Sequence, residues 1–220
     1  MSPRKEKLDL YFPSGDFRSN RPAVVFIHGG GFTGGDKAEY RSASVSADLC
    51  RAGYVVVSCN YVLGPKSKEG VWPQNIADCR NAVRWLRAHA KELGVNPDKI
   101  AVAGGSAGGY LALMVGLSDD KTAPGGDPTA KHSAKVSAVI DMYGVVSFAK
   151  RGKGEVPGTS PAEQAAYLPE SQCDAQDPAV LILHGTADST VDIAQSDDMA
   201  KARRFAKTPY ESIVVEGAPH

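Results

Sequence analysis

The chain has 220 residues, 25 Lys plus Arg against 25 Asp plus Glu, 42% hydrophobic and 23% charged, the make-up of a soluble globular protein with room for one sizeable core. Zero formal net charge leaves no basic footprint for a phosphate backbone, so nucleic acid is not expected as a partner. No apolar run nears the roughly 20 residues of a bilayer span, and the charged start Ser2–Lys7 holds no signal-peptide core, although a chain with its leader removed would look the same.

Short β-branched runs alternate with segments of helical period, the pattern of an α/β protein with a mainly parallel sheet. Strands are expected at Leu8–Phe12, Ala23–His28, Tyr54–Cys59, Lys99–Gly104, Val136–Met142, Ala179–His184 and Glu211–Glu216. Most are continuous apolar runs, as strands buried on both faces should be. Helices are expected at Lys37–Ala52, Asn75–Leu93, Ala107–Leu117 and Ile193–Lys207, where apolar residues recur every three or four positions. In the second helix, Arg80, Arg84, Arg87 and Lys91 read as a solvated face. Asp192 with Gln195 resembles a capping box at the start of the last, which makes that carboxylate structural. The stretches Ser118–Lys135 and Gly144–Asp177 read as loops, either shaping a pocket or serving as surface linkers. Cys50, Cys59, Cys79 and Cys173 lack CxxC spacing and read as buried free thiols.

Two motifs carry chemistry. The strand ending at Ala103 runs into Gly104-Gly105-Ser106-Ala107-Gly108-Gly109 and then a helix. This is G-x-S-x-G in a strand–turn–helix setting, where small flanking residues let the chains pass closely around a strained serine. Chance supplies about 0.2 such matches in a chain of this composition, so the setting matters more than the pattern. A serine that only caps a helix is the bland alternative; a phosphate loop would need Gly-Lys-Ser/Thr, which is absent. The second motif, His28-Gly29-Gly30-Gly31-Phe32, directly follows an apolar strand. Glycines there let backbone N–H groups reach a developing oxyanion, each donor contributing roughly 3–4 kcal/mol in a transition state. Gly30, Gly31 and Ala107 are the candidate donors.

In this order the two motifs resemble the α/β-hydrolase superfamily, and within it the cap-poor carboxylesterases of the hormone-sensitive-lipase-like group, with acetyl and feruloyl esterases among their relatives. The resemblance takes in Lys7-Leu8-Asp9-Leu10-Tyr11, Gly34-Gly35-Asp36-Lys37, the helix Asp78–Leu86 and Gly185-Thr186-Ala187-Asp188. It implies a three-layer sandwich around a mainly parallel sheet of about seven strands, as a single catalytic domain over residues 1–220 with no large cap. It assigns the nucleophile to Ser106, the acid to Asp188 and the base to His220 of Gly217-Ala218-Pro219-His220, in the family's order Ser, Asp, His. Both termini read as trimmed against that family, and a terminal His220 reads as the base or as the first residue of an appended tag.

Chemistry supports the same triad: a serine hydroxyl needs an imidazole to take its proton, and the imidazole needs a carboxylate to fix its tautomer. His28 and His184 read as structural hydrogen-bonders. Neither His89 nor His132 belongs to an H-E-x-x-H pair, so no catalytic metal and no cofactor are expected. Phe32 and Trp72 are the candidates for substrate binding, Trp72 reading equally as a core anchor. The expected activity is hydrolysis of small or short-chain acyl esters through an acyl-enzyme. An arylformamidase-type amidase and a non-catalytic binding protein of the same fold are the alternatives.

Overall fold

A computed structural model describes residues 7–15, 19–64, 71–119, 129–148, 160 and 163–220. Chain order gives β1 Leu8–Tyr11, β2 Arg21–Ile27, α1 Tyr40–Arg51, β3 Val55–Cys59, α2 Gln74–Ala88, β4 Val95–Gly105 and α3 Ala107–Leu117, then β5 Ala138–Met142, β6 Ala179–Gly185, α4 Ala194–Ala206 and β7 Tyr210–Val215. The seven strands form one sheet in the order β1-β3-β2-β4-β5-β6-β7. Only β1 runs antiparallel to its neighbour.

Alternation along β2 explains the layering. Ala23, Val25 and Ile27 face the large core built with α2, α3 and Met199 of α4, while Val24 and Phe26 face the smaller core under α1. Side chains on successive residues point to opposite faces, so a strand apolar at every position must be covered twice. Val25 and Ile27 are fully buried, each worth roughly 1.5–3 kcal/mol of transfer free energy. Among the described residues, no helix is long and apolar enough to cross a membrane.

Several expectations need correction. The arginines of α2 are not a solvated face: Arg80 and Arg84 are 4% and 1% exposed. A guanidinium has five donors, and these residues use them to satisfy carbonyls and side chains around them. Arg80 donates to the carbonyls of Met114 and Ser118 at the end of α3, Arg84 to Asn81 Oδ1, and Arg87 to Pro97, Ser133 and Lys135 carbonyls. The capping box at α4 is half made. Asp192 Oδ1 accepts from the Ala194 amide at 2.9 Å, but the Gln195 carboxamide turns away to bind the Val146 and Ser147 amides at 2.7 and 2.6 Å. Cys59 and Cys79 are buried while Cys50 and Cys173 are half-buried, and all four are free thiols. Of the two expected loops, 120–128, 149–159 and 161–162 lie outside the described residues, as do 2–6 of the charged start. The second loop contains two 3-10 turns, Gln164–Tyr167 and Pro169–Gln172.

Candidate active site

Every candidate residue lies beyond the C-terminal end of a parallel strand, where an open α/β sheet gathers its ligands. Ser106 joins β4 to α3 with φ 57° and ψ −120°, a conformation that non-glycine residues rarely hold. Neighbouring backbone enforces it. A methyl group on Gly108 would sit 2.1 Å from the Ile27 carbonyl oxygen, and one on Gly104 2.3 Å from that of Gly108. Only hydrogen fits where β2, β4 and α3 cross. The Ser106 amide donates to the Met142 carbonyl at 2.9 Å, tying the turn to the end of β5.

The His28–Phe32 loop leaves β2 beside this turn, so close that a methyl group on Gly29 would lie 3.6 Å from the Ser106 Cβ. Gly30 has φ 107° and Gly31 φ 61°. The Gly30 carbonyl accepts from the Thr33 and Gly34 amides at 3.2 and 3.1 Å, closing the loop. Among the described residues, the amides of Gly30, Gly31 and Ala107 donate to no protein acceptor, and that of Ala107 begins α3 beside Ser106. Tyr61 holds the loop from below, its hydroxyl donating to the His28 and Gly29 carbonyls at 3.1 and 3.3 Å. The following Gly34-Gly35-Asp36-Lys37 segment is anchored by Asn60, which accepts from the Lys37 amide at 2.7 Å and donates to Asp36 at 2.9 Å.

Asp188 and His220 are brought together. His220 Nδ1 lies 2.7 Å from Asp188 Oδ2, and the aspartate side chain is 1% exposed. Burial raises the Asp188 carboxyl, but the Val191 amide, the His220 ring and the Thr190 amide outweigh it and hold it below its ordinary value. An ionised carboxylate only accepts hydrogen bonds, so Nδ1 of His220 carries a proton, and in the neutral imidazole that tautomer leaves the lone pair on Nε2.

The other buried imidazoles are committed elsewhere. His184 Nε2 donates to the Val191 carbonyl at 2.9 Å, which leaves Nδ1 to accept from Ser196 Oγ at 2.7 Å; the same Nε2 lies 3.3 Å from Asp188. His28 Nδ1 donates to the Gly29 carbonyl at 2.7 Å and the ring stacks on Tyr61 at 4.4 Å. Burial keeps His28 below its ordinary pKa, hence uncharged.

Phe32 is fully buried and Trp72 is 8% exposed. They pack 5.0 Å apart in an aromatic cluster with Tyr110 and Phe148, and Trp72 Nε1 donates to the Tyr110 hydroxyl at 3.0 Å. Sequence reading missed Tyr61, Tyr143 and Asp141. The signals were an aromatic directly after β5, in the same strand-end position as the chosen candidates, and one aspartate inside an apolar strand. No group of three or more His, Cys, Asp or Glu among the described residues is arranged to hold a metal ion.

A family model named BD-FAE matches residues 8–202. The chain belongs to the BD-FAE family. Two structures with this architecture are those of an esterase from Thermogutta terrifontis, Est2 with propionate bound, and a truncated carbohydrate esterase from gut microbiota. The Thermogutta protein is 33% identical with a TM-score of 0.81, over 98% of this chain and 79% of that one. The gut esterase is 28% identical with a TM-score of 0.85, over 97% of this chain and 83% of that one. Thermogutta esterase 2 is also known phosphonylated by cyclosarin, at 34% identity, a TM-score of 0.81 and the same coverage. With these neighbours, the mostly parallel seven-stranded sheet of this BD-FAE member is an α/β-hydrolase fold, of the carboxylesterase group resembling hormone-sensitive lipase. The probable carboxylic ester hydrolase LipM of Mycobacterium tuberculosis is 30% identical over 94% of this chain and 51% of its own length. The chain spans about half the length of the curated relatives such as LipM that it matches.

Proposed function

We propose that residues 1–220 act as a single catalytic domain, a serine carboxylesterase for small or short-chain acyl esters, with Ser106, His220 and Asp188 as its triad. The observation that carries this reading is the 2.7 Å His220–Asp188 hydrogen bond on the same sheet edge as a serine held at φ 57°. Support also comes from relatives named as carboxylic ester hydrolases and from the propionate held by the Thermogutta esterase.

Nε2 of His220 takes the proton as Ser106 Oγ bonds to the acyl carbon, and the carbonyl π electrons move onto oxygen. The Gly30, Gly31 and Ala107 amides donate to that oxyanion, and the start of α3 adds its dipole. When the carbonyl re-forms, the bond to the alkoxy group breaks and Nε2 returns the proton to the departing alcohol. Water then repeats the sequence on the acyl-enzyme: it gives a proton to Nε2, adds to the carbonyl, and Ser106 leaves with the proton and releases the acid. Throughout, Asp188 accepts the Nδ1 hydrogen bond and stabilises the imidazolium.

Hydrolysis of p-nitrophenyl acetate, butyrate and octanoate by the chain and by Ser106→Ala tests the reading, with folding checked by circular dichroism. Turnover that falls with acyl length and vanishes in S106A is the expected result. Two folded but inert proteins would overturn it, and faster cleavage of an N-formyl arylamine than of acetate esters would move the activity to amide bonds.

A further inference from the structure

Tyr143 has no part in the steps above, yet its side chain touches both halves of the site. Its ring packs against the His220 ring, centroids 4.8 Å apart at 63°. On the other side it covers Gly105, the residue before the nucleophile, where an added methyl would fall 2.8 Å from the Tyr143 hydroxyl oxygen and 3.1 Å from Cε2 and Cζ. The phenol is held from beyond by Arg41, whose Nη1 donates to it at 3.1 Å, with the guanidinium carbon 5.7 Å from the ring centroid.

The backbone is held as firmly. Tyr143 has φ 45°, a left-handed conformation that an aromatic residue keeps only where its surroundings over-determine it. Its amide donates to the Leu183 carbonyl at 2.7 Å, and the preceding carbonyl, of Met142, accepts from the Ser106 amide. The next amide, of Gly144, donates to Asp141 Oδ1 at 3.0 Å. A ring so fixed from β4, β5 and β6 is a reference point for anything that leans on it.

His220 leans on it. The hydrogen bond to Asp188 leaves the imidazole free to swing about the Nδ1···Oδ2 line, and such a swing would carry Nε2 away from its proton donor. We propose that Tyr143, braced by Arg41, is a positioning residue for His220 that restricts this swing and keeps Nε2 directed toward Ser106. This inference rests on the triad reading above.

The test compares the wild-type chain with Tyr143→Asn, Tyr143→Phe and Arg41→Gln on p-nitrophenyl acetate. Asparagine removes the ring but tolerates a left-handed φ, and phenylalanine restores the ring without the hydrogen bond from Arg41. Y143N should lower kcat roughly 10- to 100-fold with KM within about twofold of wild type. Y143F should recover about a third or more of wild-type kcat, with R41Q between the two. The downfield Nδ1–H proton resonance of His220, read by NMR on histidine-labelled protein, needs no turnover. It should be sharp in wild type and Y143F and broadened in Y143N. A kcat for Y143N within about twofold of wild type, a Y143F as impaired as Y143N, or an equally sharp resonance in all three chains would overturn the proposal. A wild-type chain that is inert while the resonance pattern holds would sink the esterase reading and leave the positioning contact standing.

Discussion

Asp141 gives the fold a stability that depends on pH. It lies on β5, fully buried, with Oδ1 accepting from the Gly144 amide at 3.0 Å and Oδ2 without a partner among the described residues. Burial is the dominant effect and the Gly144 hydrogen bond opposes it, so the carboxyl is pushed up from 3.8 to about 7. Below pH 4 or so, both the folded and unfolded chains hold the proton and nothing is lost. Between about pH 4 and about pH 7 the unfolded chain releases it and the folded chain does not, so stability falls as pH rises. Above about 7 the loss is complete. Three pH units at ~1.4 kcal/mol each put it at ~4 kcal/mol. Asp141→Asn keeps an acceptor for Gly144 and does not titrate. Urea unfolding of both chains from pH 4 to 8 should therefore show the variant gaining on the wild type by up to ~4 kcal/mol, most of it before pH 7. Parallel stability curves across that range would refute the reasoning and mean that the carboxylate is solvated or paired.

Three other substitutions probe the site. Gly108→Ala forces a methyl group to within 2.1 Å of the Ile27 oxygen and 2.7 Å of the His28 oxygen, both backbone. It should cost about 3 kcal/mol or more, a fall of roughly 6–12 °C in Tm by differential scanning fluorimetry; a Tm within about 2 °C of wild type would disprove the close crossing. Asp188→Asn should leave the fold intact but lower kcat by about 10⁴, because the amide favours the wrong tautomer of His220. Steady-state kinetics showing more than about a tenth of wild-type kcat would remove Asp188 from the triad. Tyr61→Phe deletes the hydroxyl that donates to the His28 and Gly29 carbonyls. Gly29 keeps its bond from His28 Nδ1, but leaving the His28 carbonyl unpaired should cost about 1–2 kcal/mol, a roughly 5- to 30-fold loss in kcat/KM if the oxyanion loop shifts. An unchanged kcat/KM would show that the loop holds its shape without it.

All seven strands stand near where the sequence pattern put them. The inner ones advertise themselves as hydrophobic stretches because both faces are covered, whereas β1 and β7 are edge strands, β7 exposed at five of its six positions. The misjudged ends have local causes. α1 begins at Tyr40 rather than Lys37 because Lys37 is fixed into the preceding loop by Asn60 and by its 2.7 Å ion pair with Asp9. α2 stops at Ala88, and the apolar spacing of Ala90 and Leu93 continues through a turn ending at Gly94, φ 65°. β4 starts early, at Val95, across a register shift opposite Arg21–Ala23, which Pro97 and Asp98 disguise.

The candidate site was legible where backbone demands glycine: Gly104 and Gly108 around Ser106, and the run after His28. The partners of those backbone turns were not. Tyr61 and Tyr143 each act on groups remote in sequence, and neither periodicity nor spacing records such tertiary contacts. Asp141 bonds only three residues on, to Gly144, but its burial comes from the packing of the sheet. The arginines of α2 misled for the same reason, since a buried guanidinium and a solvated one occupy the same helical positions.

The most direct test of the esterase mechanism is to label the chain with a p-nitrophenyl alkylphosphonate and map the adduct by peptide mass spectrometry. One adduct per chain on the peptide carrying Ser106, with ester turnover lost in step, is the predicted result. Turnover lost through an adduct on any other residue, or ester turnover persisting in S106A, would contradict Ser106 as the nucleophile.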